Sequence, residues 1–154
     1  MAIRNIRTEE DPLLRKISRP VKNINDNIKI LLDDMKDTLQ TRNGLGIAAP
    51  QVGILKRVII VVDNDDNLIE IINPQILESS GSQVNQEGCL SVRNIRGEVE
   101  RPEFVKVKGL DRDGNEFIID GDKRLATVLS HEIDDLDGIL FIDKMTSPEY
   151  EEDE

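Results

Sequence analysis

The chain is short of the residues that most often announce a site: among its 154 residues there is one cysteine, Cys89, one histidine, His131, and no tryptophan. A lone cysteine cannot close an internal disulfide, which removes the oxidised secreted scaffolds. One Cys and one His also cannot build a four-ligand structural zinc site. Long apolar runs are missing too. The longest uninterrupted aliphatic stretch is Val58 to Val62, far below the ~20 residues of a membrane-spanning helix. Basic residues are outnumbered, 20 Lys plus Arg against 31 Asp plus Glu, for a net charge of −11. That balance argues against direct nucleic-acid binding by phosphate neutralisation. The N-terminus, MAIRNIRTEEDP, mixes charge signs and lacks an apolar signal core, so a cytoplasmic protein with no membrane association is expected.

What is present fits a single domain, read as residues 1–146. Residues 147–154, SPEYEEDE, hold five acids and no base and are expected to form a disordered acidic tail that RNA would repel. Ile28, Leu31, Leu32, Met35 and Leu39 recur at helical spacing between Asp26 and Asn43, with Asn25 or Asp26 as N-cap and Gly44 as the stop. RVIIVV (57–62) and LIEII (68–72) are β-branched runs around a turn-rich DNDDN, the pattern of a hairpin. FVKVKGL (104–110), DRDGN and EFIID (116–120) predict a second hairpin. Leu125, Val128, Leu129, Ile133 and Leu136 then mark a final helix ending at Gly138. Helix, short hairpin-linked strands, helix: the expected class is α+β, with antiparallel sheets.

Three segments carry chemistry. In His131-Glu132-Ile133-Asp134-Asp135 the first and last residues lie about 40° apart on one helix face, Glu132 sits beside that face and Asp134 points away. A His with a second ligand four residues later and a Glu directly after it resembles HExxH, in which two imidazoles bind a metal and the Glu handles the proton of the activated water. On its own the segment also reads as a solvated acidic helix face. Glu87-Gly88-Cys89-Leu90-Ser91 sets the free cysteine in a polar stretch beside a glycine that permits close backbone approach, although an isolated cysteine is more often a small buried hydrophobe. Gly44-Leu45-Gly46-Ile47-Ala48-Ala49-Pro50-Gln51 offers small residues and one amide. It has neither the Gly-Lys-Ser/Thr ending of a phosphate loop nor the preceding strand of a dinucleotide site.

In this order and spacing the three segments resemble the peptide deformylase family, whose motifs are GxGxAAxQ, EGCLS and HExDH. The resemblance extends to DPLLR (11–15), RGEVERP (96–102) and LDG (136–138). It implies the family's α+β fold around a C-terminal metal-binding helix. It also implies hydrolytic removal of the formyl group from N-formylmethionyl peptides, the nascent chains near the ribosome. The implied cofactor is one divalent metal, natively iron, with zinc or nickel also accepted. Carried over by motif, Cys89 and His131 are ligands, Glu132 is the general base and acid, and Gln51 with the backbone N–H of Leu90 stabilises the oxyanion. The main chain at Gly46 pairs with the peptide, Ile47 lines the methionine pocket, Arg96 lies beside the groove, and Glu87 pairs with Arg101.

Asp135 stands where the family has its second histidine. A carboxylate oxygen is two bonds from Cβ and an imidazole Nε2 three, so reach counts against Asp135 as a ligand. Charge matters as well: a divalent ion held by one thiolate and one carboxylate carries no net charge, so it lowers the pKa of bound water toward ~7 less than a centre with two neutral imidazoles would. Exchanging nitrogen for oxygen also moves preference toward harder ions such as Mn²⁺. The expectation is weaker metal binding or slower turnover at Cys89, His131 and Asp135. The alternative is a metal-deficient module of the same fold that grips peptide N-termini without hydrolysis. An HExxH endopeptidase is excluded, since that motif needs two histidines. Arg93-Asn94, where family members often carry Pro-Gly, is expected to change only a loop at the groove edge.

Overall fold

The computed structural model describes residues 2–150. Helix α1 (Asp26–Arg42) is capped by Asn25, whose side chain accepts from Ile28 N. Its stop falls one position before the expected glycine: Asn43 adopts the left-handed conformation, and Gly44 N–H closes the end on the carbonyl of Leu39. Asparagine tolerates this conformation because its side chain is short and polar.

Strands β1 (Gly46–Ala48), β2 (Val58–Val62), β3 (Leu68–Ser80), β6 (Phe104–Leu110) and β7 (Glu116–Asp122) form one antiparallel sheet in the order β1-β2-β3-β6-β7. Helix α2 (Lys123–Leu136) follows β7 directly. The run VIIVV in β2 is apolar throughout because both of its faces are covered. Val58 and Ile60 pack with Leu32, Met35 and Leu39 of α1, while Ile59 and Val61 pack with Leu125, Leu129 and Ile133 of α2. Both predicted hairpins are present, and an aspartate closes each turn: Asp63 Oδ1 accepts from Asp65 and Asn67 N–H, and Asp111 Oδ1 from Asp113 and Asn115 N–H.

A second sheet, β4 (Gln83–Cys89), β5 (Val92–Arg101) and β8 (Met145–Tyr150), has the order β4-β5-β8. Strand β3 continues past its expected end at Ile72 because Asn73, at φ 54°, sits in a register shift while its side-chain amide exchanges bonds with Val21 N and O at 2.8 and 2.9 Å. The boundary drawn at Ser147 also moves. β8 pairs with β5 as far as Tyr150, its backbone held by the ladder whatever the local composition, and residues 151–154 lie outside the described residues. Among the described residues no helix is long and apolar enough to cross a membrane.

The N-terminal segment is strapped to α1 by a buried carboxylate. Asp34 accepts from Ala2 N at 2.7 Å and Arg4 Nε at 2.9 Å, and Thr38 Oγ1 accepts from Arg4 N at 2.9 Å. Burial alone would raise the Asp34 pKa, but the bonds from Arg4 and Ala2 outweigh it and hold the group below its ordinary value. The strap therefore stabilises the fold above the unfolded carboxyl pKa of ~3.9 and loses that contribution as pH falls through the lower folded value. Asp34→Asn is expected to destabilise the protein by about 1–2 kcal/mol at neutral pH. In urea titrations the gap from the parent should close in acid below about pH 4.

Candidate metal centre

Helix α2 is amphipathic by spacing yet buried nearly all round. Its polar residues Ser130, His131, Glu132 and Asp135 are inside as well, at 3–7% exposure. They lie where α2 faces the second sheet, and the β4–β5 hairpin brings Cys89 up to them. One donor atom each from Cys89, His131 and Asp135 lies within 4.8 Å of the others, with His131 Nε2 and Asp135 Oδ2 at 3.6 Å. Asp135 thus brings a donor atom close to those of His131 and Cys89 despite its shorter side chain, since at i and i+4 both helix side chains lean toward the helix N-terminus.

Glu87 orients the imidazole. Its Oε1 lies 2.8 Å from His131 Nδ1, leaving Nε2 to face Cys89 and Asp135, and Phe141 stacks on the ring with centroids 6.0 Å apart. Glu87 is held in turn by Arg101 through two bonds, Nε to Oε2 at 2.8 Å and Nη2 to Oε1 at 2.9 Å. Arg101 Nη1 also donates to Asp134 at 2.7 Å, which Lys144 meets at 2.9 Å. Burial would raise the Glu87 pKa, but Arg101 and His131 overcome it and bring the carboxyl down to about 2. The expected Glu87–Arg101 pair is present; the bond from Glu87 to the histidine and the role of Asp134 have no local signal, since they join segments far apart in sequence.

The donors suit a cation. Both Asp135 oxygens and Glu132 Oε1 are buried without a hydrogen-bond partner, an expensive state for a carboxylate that a bound ion would resolve. Burial raises the Cys89 thiol above its ordinary value and lifts Asp135 to about 6. Burial would lower the His131 pKa, yet the charges of Asp135 and Glu132 carry it well above the usual imidazole range. Glu132 is raised well above a normal glutamate, chiefly by burial. A bound ion would act against these upward shifts, since it favours the deprotonated form of each ligand.

Around this cluster an open cleft of about 760 Å³ is lined by Gly46, Leu90, Arg96, Thr127, Val128, His131 and Glu132, among others. Gly46 has to be glycine: a Cβ there would lie 2.6 Å from Glu132 Oε2. Gln51 is 2% exposed beneath Cys89. Its Nε2 donates to Cys89 Sγ at 3.5 Å and Ser91 Oγ at 3.1 Å, while its Oε1 accepts from Ala48 N at 2.8 Å. Ile47 does not line the cleft. Alternation along β1 turns it into the fully buried cluster against α1, and Leu45 and Gly46 face the opening instead.

A thiol, an imidazole and a carboxylate grouped closely enough to hold one ion, with a second carboxylate beside them at an open cleft, are the residue set of a single-metal hydrolase. Residues 3–151 match the family model for polypeptide deformylase. The chain is 56% identical over 145 residues to the peptide deformylase of Alkaliphilus metalliredigens, covering 94% of this chain and 98% of that one. It is 52% identical over 145 residues to that of Acetivibrio thermocellus, covering 94% and 85%. Among solved structures, a class I type b peptide deformylase from Acinetobacter baumannii with Met-Ala-Ser bound superposes with a TM-score of 0.88 at 38% identity, covering 93% of this chain and 98% of that one. The chain belongs to the polypeptide deformylase family, and its fold is the expected α+β arrangement around a C-terminal helix.

Replacing Arg101 by Met should strand the buried Glu87 charge and cost about 3–5 kcal/mol of stability, read by urea unfolding. Arg101→Lys, which keeps charge but not the two-pronged geometry, should fall between that variant and the parent.

Proposed function

We propose that this chain deformylates N-formylmethionyl peptides, the cytoplasmic nascent chains leaving the ribosome, with Cys89, His131 and Asp135 as ligands to one divalent ion. Iron(II) is the ion that the family resemblance implies, and a carboxylate in place of an imidazole shifts preference slightly toward harder ions such as Mn²⁺. The observation that carries this reading is the closeness of the three donors, with both Asp135 oxygens buried beside His131 and in no hydrogen bond. Bound there, the ion would act as a Lewis acid and ease deprotonation of the attacking water.

The chain's own residues do the rest. Glu132, beside the donors but outside their set, accepts the proton from water and returns it to the departing amine. The Gln51 amide, fixed by Ala48 and Ser91, and the N–H of Leu90 face the developing oxyanion. Backbone at Gly46 pairs with the extended peptide, Arg96 flanks it, and the Met-Ala-Ser bound by the A. baumannii relative supports a cleft long enough for three residues.

Asp135 leaves the site less positive than two imidazoles would, so turnover should be slow. Asp135→His is expected to raise kcat/KM on formyl-Met-Ala-Ser by roughly tenfold or more and to tighten zinc binding more than manganese binding. Both are read on metal-stripped protein reloaded with one ion at a time. Parent turnover equal to that of Asp135→His would overturn the argument about Asp135. If both chains are inert but bind peptide, the reading becomes that of a binding module.

A further inference from the structure

Resting on the deformylase reading, we infer that the first turn of α2 selects the third residue of the peptide, where Lys123, beside Arg124, takes a side-chain carboxylate.

The cleft has two long walls that run the same way. From His131, α2 leads back through Val128 and Thr127 to Arg124 and Lys123, while β4 leads from Cys89 to Gln83. The walls meet at the far end, where Gln83 Nε2 donates to the carbonyl of Lys123 at 2.9 Å. A peptide with its formyl end over Cys89 and His131 thus lies in a trough leading to Lys123. Spacing assigns the residue. In an extended peptide, side chains one and three share a face about 6.6 Å apart, and four residues of helix advance about 6 Å. With the first side chain against Thr127 and Val128, the third lies over Arg124 and Lys123.

Charge assigns the chemistry. The two acids lining the cleft are buried, Glu87 at 6% and Glu132 at 4% exposure, and Glu87 is already held by Arg101 and His131. The exposed charged side chains of the lining, Arg96, Lys123 and Arg124, are all basic. This is a local inversion in a chain of net charge −11. Arg124 is committed to Asp66 at 3.2 Å and the Asp63 carbonyl at 2.6 Å. Lys123 makes no ion pair and no side-chain hydrogen bond among the described residues. Its backbone is left-handed, φ 54°, a conformation that Asn43 and Asn94 share in the lining but that costs a lysine more than an asparagine, whose short polar side chain tolerates it. A strained lysine with an idle ammonium at the end of a substrate trough is a feature of recognition more than of folding.

The test uses C-terminally amidated product peptides, Met-Ala-Glu and Met-Ala-Lys, titrated by calorimetry into the metal-loaded protein at low salt, alongside kcat/KM for their formyl forms. The Glu peptide should bind about fivefold tighter, with the difference in KM and not kcat, and the ratio should shrink at about 0.5 M salt. Lys123→Gly and Lys123→Gln should each bring the ratio close to one. Equal affinities in the parent, or a ratio that survives both variants, would overturn the proposal. Lack of turnover with every formyl peptide would defeat the deformylase reading, while the product-peptide ratio would still decide the role of Lys123.

Discussion

The buried pair between Glu87 and Arg101 is the interaction on which the site depends. Two ions at 5% and 3% side-chain exposure are tolerated because nearly every polar atom between them is used. Glu87 takes both prongs of the guanidinium and the His131 Nδ1, and Arg101 spends its remaining reach on Asp134. Desolvation of such charges is repaid only when geometry and hydrogen bonding are both good. Here one carboxylate ties β4 to β5 and both to α2. The hairpin bearing Cys89 is thereby locked to the helix bearing the other two donors, and the imidazole is turned so that Nε2 faces them.

That lock explains why α2 buries polar residues on a face that spacing alone would leave to solvent. Its apolar arc, Leu125, Leu129, Ile133 and Leu136, packs on the five-stranded sheet. The opposite arc is covered by the second sheet and by Phe141, so His131, Glu132 and Asp135 sit in a largely buried seam where Glu132 Oε1 and both Asp135 oxygens make no hydrogen bond. Such a seam amplifies whatever charge is placed in it. Exchanging one neutral ligand for an anionic one therefore has more consequence there than on a surface.

The elements legible in the sequence are those whose burial follows a period. The α1 stripe from Ile28 to Leu39 and the doubly covered run in β2 name their own structures. Strands β4 and β5 are hidden because their residues face a cleft and a lone partner sheet, so no apolar alternation marks SQVNQEG. Cys89, His131 and Glu132 are readable through motif spacing, and Gly46 through the need for close approach. The phase of a three-residue strand is not readable from its sequence, and Ile47, which the family resemblance alone assigns to the methionine pocket, lies in the core. The convergence of Asp135 with Cys89 depends on how far the β4–β5 hairpin leans onto α2, a tertiary quantity that no window of sequence contains.

The order in which the donors leave the ribosome follows from their places in the chain. Cys89 is synthesised well before His131 and Asp135, and Lys144, which pins Asp134, comes later still. At ~5–20 residues per second, the thiol exists for roughly several seconds with neither its companion ligands nor the helix that encloses it. During that interval it is an ordinary exposed cysteine, open to oxidation up the sulfenic ladder. An oxidised sulfur would arrive at the finished site unable to serve as a thiolate. Folding ends that interval by bringing α2 against the hairpin, and in the finished chain Cys89 is half-buried in the wall of the cleft.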